Sequence, residues 1–61
     1  MEIKRIRNEK GYTQEFVASA LGIDQSSYCL KENGYRSFKI EELLKLKEVL
    51  ETTIDELIKG E

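Results

Sequence analysis

Short helical segments separated by glycines and capping residues are the feature that most constrains the fold of this 61-residue chain. Apolar residues recur at helical spacing in five places, and no run alternates as a half-buried strand would. Isolated helices shorter than about 12–15 residues are marginal in water, so none of these segments is stable alone. The sequence therefore predicts an all-α, compact five-helix fold, with a single domain over residues 1–61.

Capping residues and glycines give the approximate bounds of the five predicted helices. The helices are predicted at residues 2–10 before Gly11, from Thr13 to Gly22, from Asp24 to Asn33-Gly34, over about 40–51, and from Thr53 to Gly60. Residues 35–39 form a loop. The apolar stripes contain Ile3, Ile6, Val17, Ala18, Leu21, Ile23, Tyr28, Ile40, Leu43, Leu44, Leu46, Leu50, Ile54, Leu57 and Ile58. We expect these side chains to pack together.

Composition argues against several classes of protein. One cysteine and no histidine leave neither a disulfide framework nor a zinc site, and we expect no metal and no cofactor. Cys29 has no histidine to activate it, so we expect no enzyme. No segment has the pattern of a signal peptide, and no apolar run reaches the roughly 18 residues of a membrane span. We therefore expect a cytoplasmic protein with no membrane partner.

Charge is unevenly distributed along the chain. The net charge is −2, which by itself argues weakly against nucleic-acid binding. Residues 1–39 carry a net charge of +2, however, whereas residues 40–61 carry −4. The basic half can approach a polyanion while the acidic half faces away. The alternative is an ordinary scatter of surface charge.

The second and third predicted helices are separated only by the residues LGID. A short glycine-containing turn between two helices of this length is typical of a helix-turn-helix. Gly22 can adopt a positive φ, which lets the chain reverse direction sharply. Ala18 lies where the helices cross, and its small side chain allows a close approach. We therefore predict a helix-turn-helix at about residues 13–33.

Three stretches of the chain match the pattern of a known family. The helix-turn-helix is TQEFVASALGIDQSSYCLKENG; IKRIRNEKGYTQ precedes it and FKIEELLKLKEVLETTIDEL follows it. Together they resemble the Cro/CI-type phage repressor family, also called the XRE-like regulators, over roughly residues 3–58. The resemblance implies a lambda repressor-like domain, usually dimeric, whose third helix binds double-stranded DNA in the major groove. It also implies a transcriptional regulator, most often a repressor, on a palindromic operator.

The outer face of the third helix has an unusual composition. Helical spacing places Tyr28, Lys31 and Glu32 on the inward face, and the opposite face carries no alternating Glu/Lys pairs. We expect that face to read base edges through Gln25, Ser26, Cys29 and Leu30. Gln suits adenine, Ser bonds to either partner, and Cys or Leu can contact a thymine methyl group. The alternative is a solvated surface for the polar pair and a half-buried flank for the apolar pair.

Phosphate contacts are implied mainly by the resemblance. Gln14 matches the glutamine at the start of the family's second helix, where free N–H groups and the helix dipole favour an anion. Asn33 matches the family's asparagine after the recognition helix, and a C-cap is its alternative role. Ser27 is a further candidate donor. Arg36 and Lys39, in the loop that follows, are well placed for phosphate in this family.

Two further pairs follow from the resemblance and the spacing. Arg7 and Glu32 match a family pair that forms a buried or half-buried salt bridge between the first and third helices, and we expect it here. Lys31 stands where the family usually has Ile or Leu. We expect its stem to lie along the core and its ammonium to reach outwards, towards solvent or a phosphate. Phe16, at a usually polar position, is expected to pack on Tyr12.

The C-terminal helix is the expected dimer interface. A lone domain of this size contacts about half of a typical operator, and two-fold related domains pair half-sites about one helical turn apart. The candidate contacts are Ile54, Leu57 and Ile58, and the alternative is that all three belong to the core. No small-molecule ligand is evident from the sequence.

A second hypothesis is a helical protein-interaction module, such as an antitoxin-like partner of another protein. The acidic half from Glu48 to Glu61 would suit a basic partner. Salt dependence separates the two hypotheses. Phosphate contacts predict that log affinity for DNA falls linearly with log salt, with a slope of about −0.9 per neutralised phosphate.

Overall fold

A computed structural model describes residues 1–60, which contain five α-helices and no β-strand. The helices are α1 Ile3–Lys10, α2 Gln14–Leu21, α3 Gln25–Glu32, α4 Ile40–Val49 and α5 Ile54–Leu57. The all-α prediction is confirmed within this range, and the predicted helix-turn-helix corresponds to α2 and α3 with their caps. Among the described helices, none combines the length and the apolar character needed to cross a membrane. Glu61 lies outside the described residues.

Side-chain oxygens cap three of the helices where the sequence predicted them. The acceptor and donor pairs are Thr13 Oγ1 with Phe16 N–H at 3.0 Å, Asp24 Oδ2 with Ser27 N–H at 2.9 Å, and Thr53 Oγ1 with Glu56 N–H at 3.2 Å. Each satisfies one backbone donor that the first turn of a helix leaves free, and caps of this kind contribute about 1 kcal/mol. The starts of α2, α3 and α5 are therefore encoded locally.

The first four helices end in the same backbone motif. At each end, a residue with positive φ stands one or two positions after the helix, and its own N–H and the N–H of the following residue donate to carbonyl groups of the last turn. The residues with positive φ are Gly11, Gly22, Gly34 and Glu51. Glu51 is the exception in this set, because an L side chain is strained at φ 52°. Its N–H donates to Glu48 O at 3.2 Å, and Thr52 N–H donates to Lys47 O at 2.8 Å.

The core is assembled from all five helices. Its buried side chains are Ile3, Ile6, Val17, Ala18, Leu21, Tyr28, Leu46, Leu50 and Leu57. Helix α2 packs against α3 and α4, and α4 packs against α5. Glu2 N–H donates to Leu57 O at 2.9 Å, which joins the start of α1 to α5. Ile23, predicted as buried, is only partly buried but does pack on the core.

Two predicted core residues of α4 lie at the surface instead. Ile40 is 75% exposed and Leu44 is 47% exposed. The buried line of α4 runs through Glu42, Leu46 and Leu50 at intervals of four residues. Residues two positions away from that line are rotated by about 200° around the helix, so they point outwards. The sequence stripe was read correctly as helical, but the charged Glu42 occupies the inward position.

Candidate nucleic-acid interface

The two faces of α3 differ sharply in burial. Tyr28 is completely buried against the core, and its ring meets Phe38 edge-on at 6.0 Å between centroids. Gln25 and Ser26 are exposed on the opposite face. Cys29 is partly buried, and Leu30 lies at the surface with 36% of its area exposed. The fold therefore presents the predicted outer face of α3 to solvent.

A shallow surface depression brings the predicted base-reading residues together with one residue of α2. It is lined by Gln14, Gln25, Ser26, Cys29 and Leu30. The lining contains no charged side chain, so no charge on this surface opposes the approach of a base edge. Amide, hydroxyl, thiol and methyl groups on one surface offer both hydrogen bonds and apolar contact, which are the two elements of direct readout.

The expected ion pair between α1 and α3 is present in the structure. Arg7 Nε lies 2.8 Å from Glu32 Oε2, and Arg7 Nη2 lies 3.1 Å from Glu32 Oε1. Arg7 Nη1 also donates to Tyr12 O at 2.7 Å. The two side chains are 9% and 0% exposed. A bidentate pair of this kind fixes the direction of α3 relative to α1 as well as its distance.

Glu32 accepts more hydrogen bonds than the sequence analysis foresaw. Tyr28 Oη donates to its Oε2 at 2.6 Å, and Gln14 Nε2 donates to its Oε1 at 3.1 Å. One carboxylate therefore joins α1, α2 and α3. The sequence partly indicated these contacts, because Tyr28 and Glu32 are separated by one helical turn. The contact of Gln14 with Glu32, by contrast, depends on how α2 and α3 cross.

Hydrogen bonding decides the ionisation of this buried group. Burial opposes ionisation of Glu32, yet the hydrogen bonds from Arg7, Tyr28 and Gln14 outweigh it and hold the pKa of its carboxyl below the ordinary value. Burial and the hydrogen bond to Glu32 raise the pKa of Tyr28. The hydrogen bond with Glu32 raises the pKa of Arg7. The cluster therefore holds one carboxylate, one guanidinium and one neutral phenol.

A second buried ion pair joins α3 to α4, and the sequence analysis missed it. Lys31 Nζ lies 2.8 Å from both carboxylate oxygens of Glu42. The side chains are 11% and 8% exposed. The expectation that Lys31 reaches solvent or a phosphate is therefore wrong. The side chain is largely withdrawn from solvent, and its ammonium group binds the inward carboxylate of Glu42.

The predicted phosphate-contacting residues fall into two groups. Arg36 and Lys39 are exposed in the segment after α3, as expected. Ser27, by contrast, donates its only hydroxyl proton to Asp24 Oδ1 at 2.8 Å, which argues against a phosphate contact by that hydroxyl. The nearby carboxylate would also repel a phosphate, since hydrogen bonds from Ser27 hold the pKa of Asp24 below its ordinary value.

Two amide side chains in this set already have partners within the protein. Asn33 Nδ2 donates to Cys29 O at 2.9 Å and lies 3.4 Å from Cys29 Sγ, so its capping role is present. Gln14 is anchored on Glu32, which leaves its second N–H and its carbonyl oxygen for other partners. Tyr35, which the sequence analysis did not select, is 80% exposed immediately before Arg36.

The structure corrects the predicted dimer contacts in α5. Leu57 is 0% exposed and belongs to the core, so it cannot present its side chain to a partner. Ile54 is partly buried against the core, and Ile58 is exposed. The physical reason is that α5 has only four residues and packs against α4, so its inward side chain is part of the core.

The predicted contact between two aromatic residues near the start of α2 is confirmed. The rings of Tyr12 and Phe16 lie 4.8 Å apart between centroids and are tilted by 48°. Phe16 nevertheless remains largely exposed. Tyr12 packs against the core, and Phe16 lies beside its ring at the surface.

Comparison with known proteins adds independent evidence. A family model described as helix-turn-helix matches residues 3–57. The HTH-type transcriptional regulator AnsR of Bacillus subtilis (strain 168) is 36% identical over 56 residues, covering 92% of this chain and 48% of the relative. YqaE, an uncharacterized HTH-type transcriptional regulator of the same strain, is 34% identical over 59 residues, covering 97% and 51%.

A prophage-derived relative gives the same picture. The SPbeta prophage-derived uncharacterized HTH-type transcriptional regulator YonR of Bacillus subtilis (strain 168) is 36% identical over 58 residues, covering 95% of this chain and 54% of the relative. The chain thus spans about half the length of the curated relatives it matches. No solved structure matches it significantly.

Proposed function

This chain belongs to the helix-turn-helix family, in agreement with its resemblance to the Cro/CI-type regulators, and from that membership we propose that it binds double-stranded DNA and regulates transcription. Helix α3 enters the major groove with its exposed face against the base edges. One arrangement supports this function above the others: Gln25, Ser26, Cys29 and Leu30 share one surface with Gln14 of the preceding helix. The opposite face of α3 is locked to the core through Tyr28 and Glu32.

Charge separation around α3 supports the same function. The two buried carboxylates next to α3, Glu32 and Glu42, are each paired with a cation and so present no free negative charge to DNA. Arg36 and Lys39 are exposed in the segment that follows α3. Seven of the twelve acidic residues lie in the sequence from residue 40 onwards, and five of these are on α4 and α5. A phosphate backbone near the segment after α3 would therefore meet cations.

We further propose a homodimer that acts as a repressor on a palindromic operator. One recognition helix covers about half of such a site, and two-fold symmetry doubles the contact. Ile58 remains the exposed candidate among the predicted dimer contacts of α5, and Ile54 can contribute its exposed part. Occupation of a promoter by the dimer would block transcription. A chromosomal or phage DNA target also implies that the protein acts in the cytoplasm.

Selection from a random duplex library tests this function. The whole 61-residue chain is bound to the library at moderate salt, and the retained duplexes are sequenced. We expect enrichment of a palindrome whose half-sites are about 10 base pairs apart. Enrichment of a single half-site would retain DNA readout and reject the dimer. A folded chain that enriches nothing would reject DNA binding and favour a protein partner.

A further inference from the structure

The buried pair Lys31 and Glu42 lies at a junction of the proposed interface. Lys31 is in the last turn of α3, and Glu42 is in the first turn of α4. Between these helices runs the segment 33–39, which we call the interhelix loop. Its exposed residues include Arg36 and Lys39, the two cations proposed to contact phosphate. The pair therefore connects the helix proposed to read bases with the helix that follows the loop.

Glu42 holds the far end of the same loop by a second contact. Its Oε1 accepts a hydrogen bond from Lys39 N–H at 2.8 Å, in addition to the bonds from Lys31 Nζ. Lys39 is the N-cap of α4 but offers no side-chain acceptor to that helix. One carboxylate therefore closes the interhelix loop from both sides, at the end of α3 and at the start of α4.

The pair Lys31 and Glu42 contributes more to the geometry of the interhelix loop than to the stability of the fold. Taking two charges out of water costs about as much as their mutual attraction returns, and packed apolar side chains of similar volume are often as stabilising. Three short hydrogen bonds on one carboxylate, however, define both distance and angle. These hydrogen bonds therefore hold the loop in a fixed arrangement but add little to the stability of the fold.

We propose that Lys31 and Glu42 are positioning residues for DNA binding: they hold the interhelix loop so that its cations meet phosphates when α3 lies in the major groove. The inference rests on the proposed DNA-binding function. Preorganisation of the loop removes an ordering cost that binding would otherwise carry. Neither residue contacts DNA in this arrangement, and both act through Arg36 and Lys39.

A double variant tests the proposal without changing net charge. Lys31→Met/Glu42→Gln removes one positive and one negative charge and leaves no buried charge unpaired, and the Gln carbonyl can still accept from Lys39 N–H. The matched control is Glu56→Gln/Lys59→Gln, which removes an exposed pair at 3.9 Å in the C-terminal region. A rescue variant, Lys31→Arg, retains a cation that can bind the Glu42 carboxylate.

Two quantities are measured for each chain on the duplex selected by the wild type. They are the affinity at about 0.15 M salt and the slope of log affinity against log salt. If the loop loses one phosphate contact, we expect affinity to fall about fivefold per bound chain and the slope to shrink by about 0.9. The helical circular-dichroism signal is recorded to establish that each variant is folded. The control and Lys31→Arg should match the wild type in both quantities.

The outcomes separate the inference from the function on which it rests. A wild type that does not bind DNA rejects the function itself. A wild type that binds, with a folded double variant of unchanged affinity and slope, overturns the positioning role alone. Equal losses of affinity in the double variant and the control would also overturn it, because an exposed ion pair would then matter as much as the buried one. If the double variant does not fold, Lys31→Met/Glu42→Met is compared with the same control, because packed apolar side chains of similar volume also leave no buried charge unpaired.

Discussion

The phenol oxygen of Tyr28 lies 2.6 Å from Oε2 of Glu32, one turn further along α3, and both side chains are withdrawn from solvent. Because the same carboxylate accepts from Arg7 and Gln14, the phenol completes a shell of four donated hydrogen bonds. The inner face of the proposed recognition helix is thus held by polar contacts as well as by packing. The consequences can be measured in the isolated chain and on DNA.

Removal of the phenol oxygen should weaken the fold measurably. Tyr28→Phe keeps the ring and its packing but deletes one hydrogen bond to a buried charge, a type of bond that contributes about 1.5–3 kcal/mol. We expect the free energy of unfolding to fall by about that amount, measured by urea denaturation followed by circular dichroism. Tyr35→Phe, at a largely exposed ring, is the control. A Tyr28→Phe midpoint equal to that of the control would contradict the hydrogen-bonded arrangement.

Stability should decrease in acid because of the two buried carboxylates. Hydrogen bonds to Glu32 and Glu42 outweigh burial and hold their pKa values below the ordinary 4.5 in the folded chain. Between the lowered values and 4.5 the unfolded chain binds more protons, so the free energy of unfolding rises with pH there. The contribution is complete above 4.5 and is lost as pH falls through the lowered pKa values.

Urea denaturation at a series of pH values from neutral to strongly acidic checks this dependence. Glu42→Gln should flatten the curve because it removes one of the two carboxylates. Glu9→Gln, at an exposed residue of α1, should leave the shape unchanged. A wild-type stability that stays constant down to about pH 3 would show that neither carboxylate is stabilised by folding.

Relief of backbone strain after α4 should stabilise the protein. Glu51 has φ 52°, a conformation that costs an L residue on the order of 1 kcal/mol or more and a glycine almost nothing. We expect Glu51→Gly to raise the free energy of unfolding by about 0.5–1 kcal/mol, after allowance for the freer unfolded chain. Glu51→Ala controls for loss of the exposed contact with Lys10, at 3.5 Å. A Glu51→Gly variant that is no more stable than Glu51→Ala would contradict the predicted strain.

Modification of the single cysteine should report on the DNA-binding surface. Cys29 is partly buried on the surface shared with Gln25 and Ser26. Alkylation with a bulky maleimide should abolish specific DNA binding by steric exclusion while the helical circular-dichroism signal stays unchanged. Cys29→Ser, which cannot be alkylated, serves as the control for treatment with the reagent. Full alkylation with unaltered binding would remove Cys29 from the interface.

Truncation of the first side chain on α3 should change specificity more than general affinity. If Gln25 reads an adenine, Gln25→Ala should lose about 1–3 kcal/mol of discrimination at one base pair. Binding to duplexes mutated one position at a time measures this loss. Glu15→Ala, at an exposed residue of α2, provides a control. An equal loss on every duplex would show that Gln25 contacts only the DNA backbone.

Sequence alone determined the features that depend on neighbours within one helical turn. Thr13, Asp24 and Thr53 cap their helices as predicted, because a cap needs only its own side chain and an N–H three residues later. The exposed face of α3 also follows from local spacing. The pairing of Arg7 with Glu32 came from the resemblance to a family and not from spacing, since the two residues belong to different helices.

Only the tertiary structure decided which charged and apolar side chains of α4 and α5 face inwards. The apolar stripe of α4 permitted Ile40 in the core, but the packing of α4 against α2 and α5 turns Glu42 inwards, where it pairs with Lys31. Likewise, Leu57 lies in the core because α5 packs against α4. Helical periodicity fixes which residues share a face, whereas the rotation of that face towards the core depends on packing against residues distant in sequence. The ion pairs that join α3 to α1 and to α4 are a result of that packing.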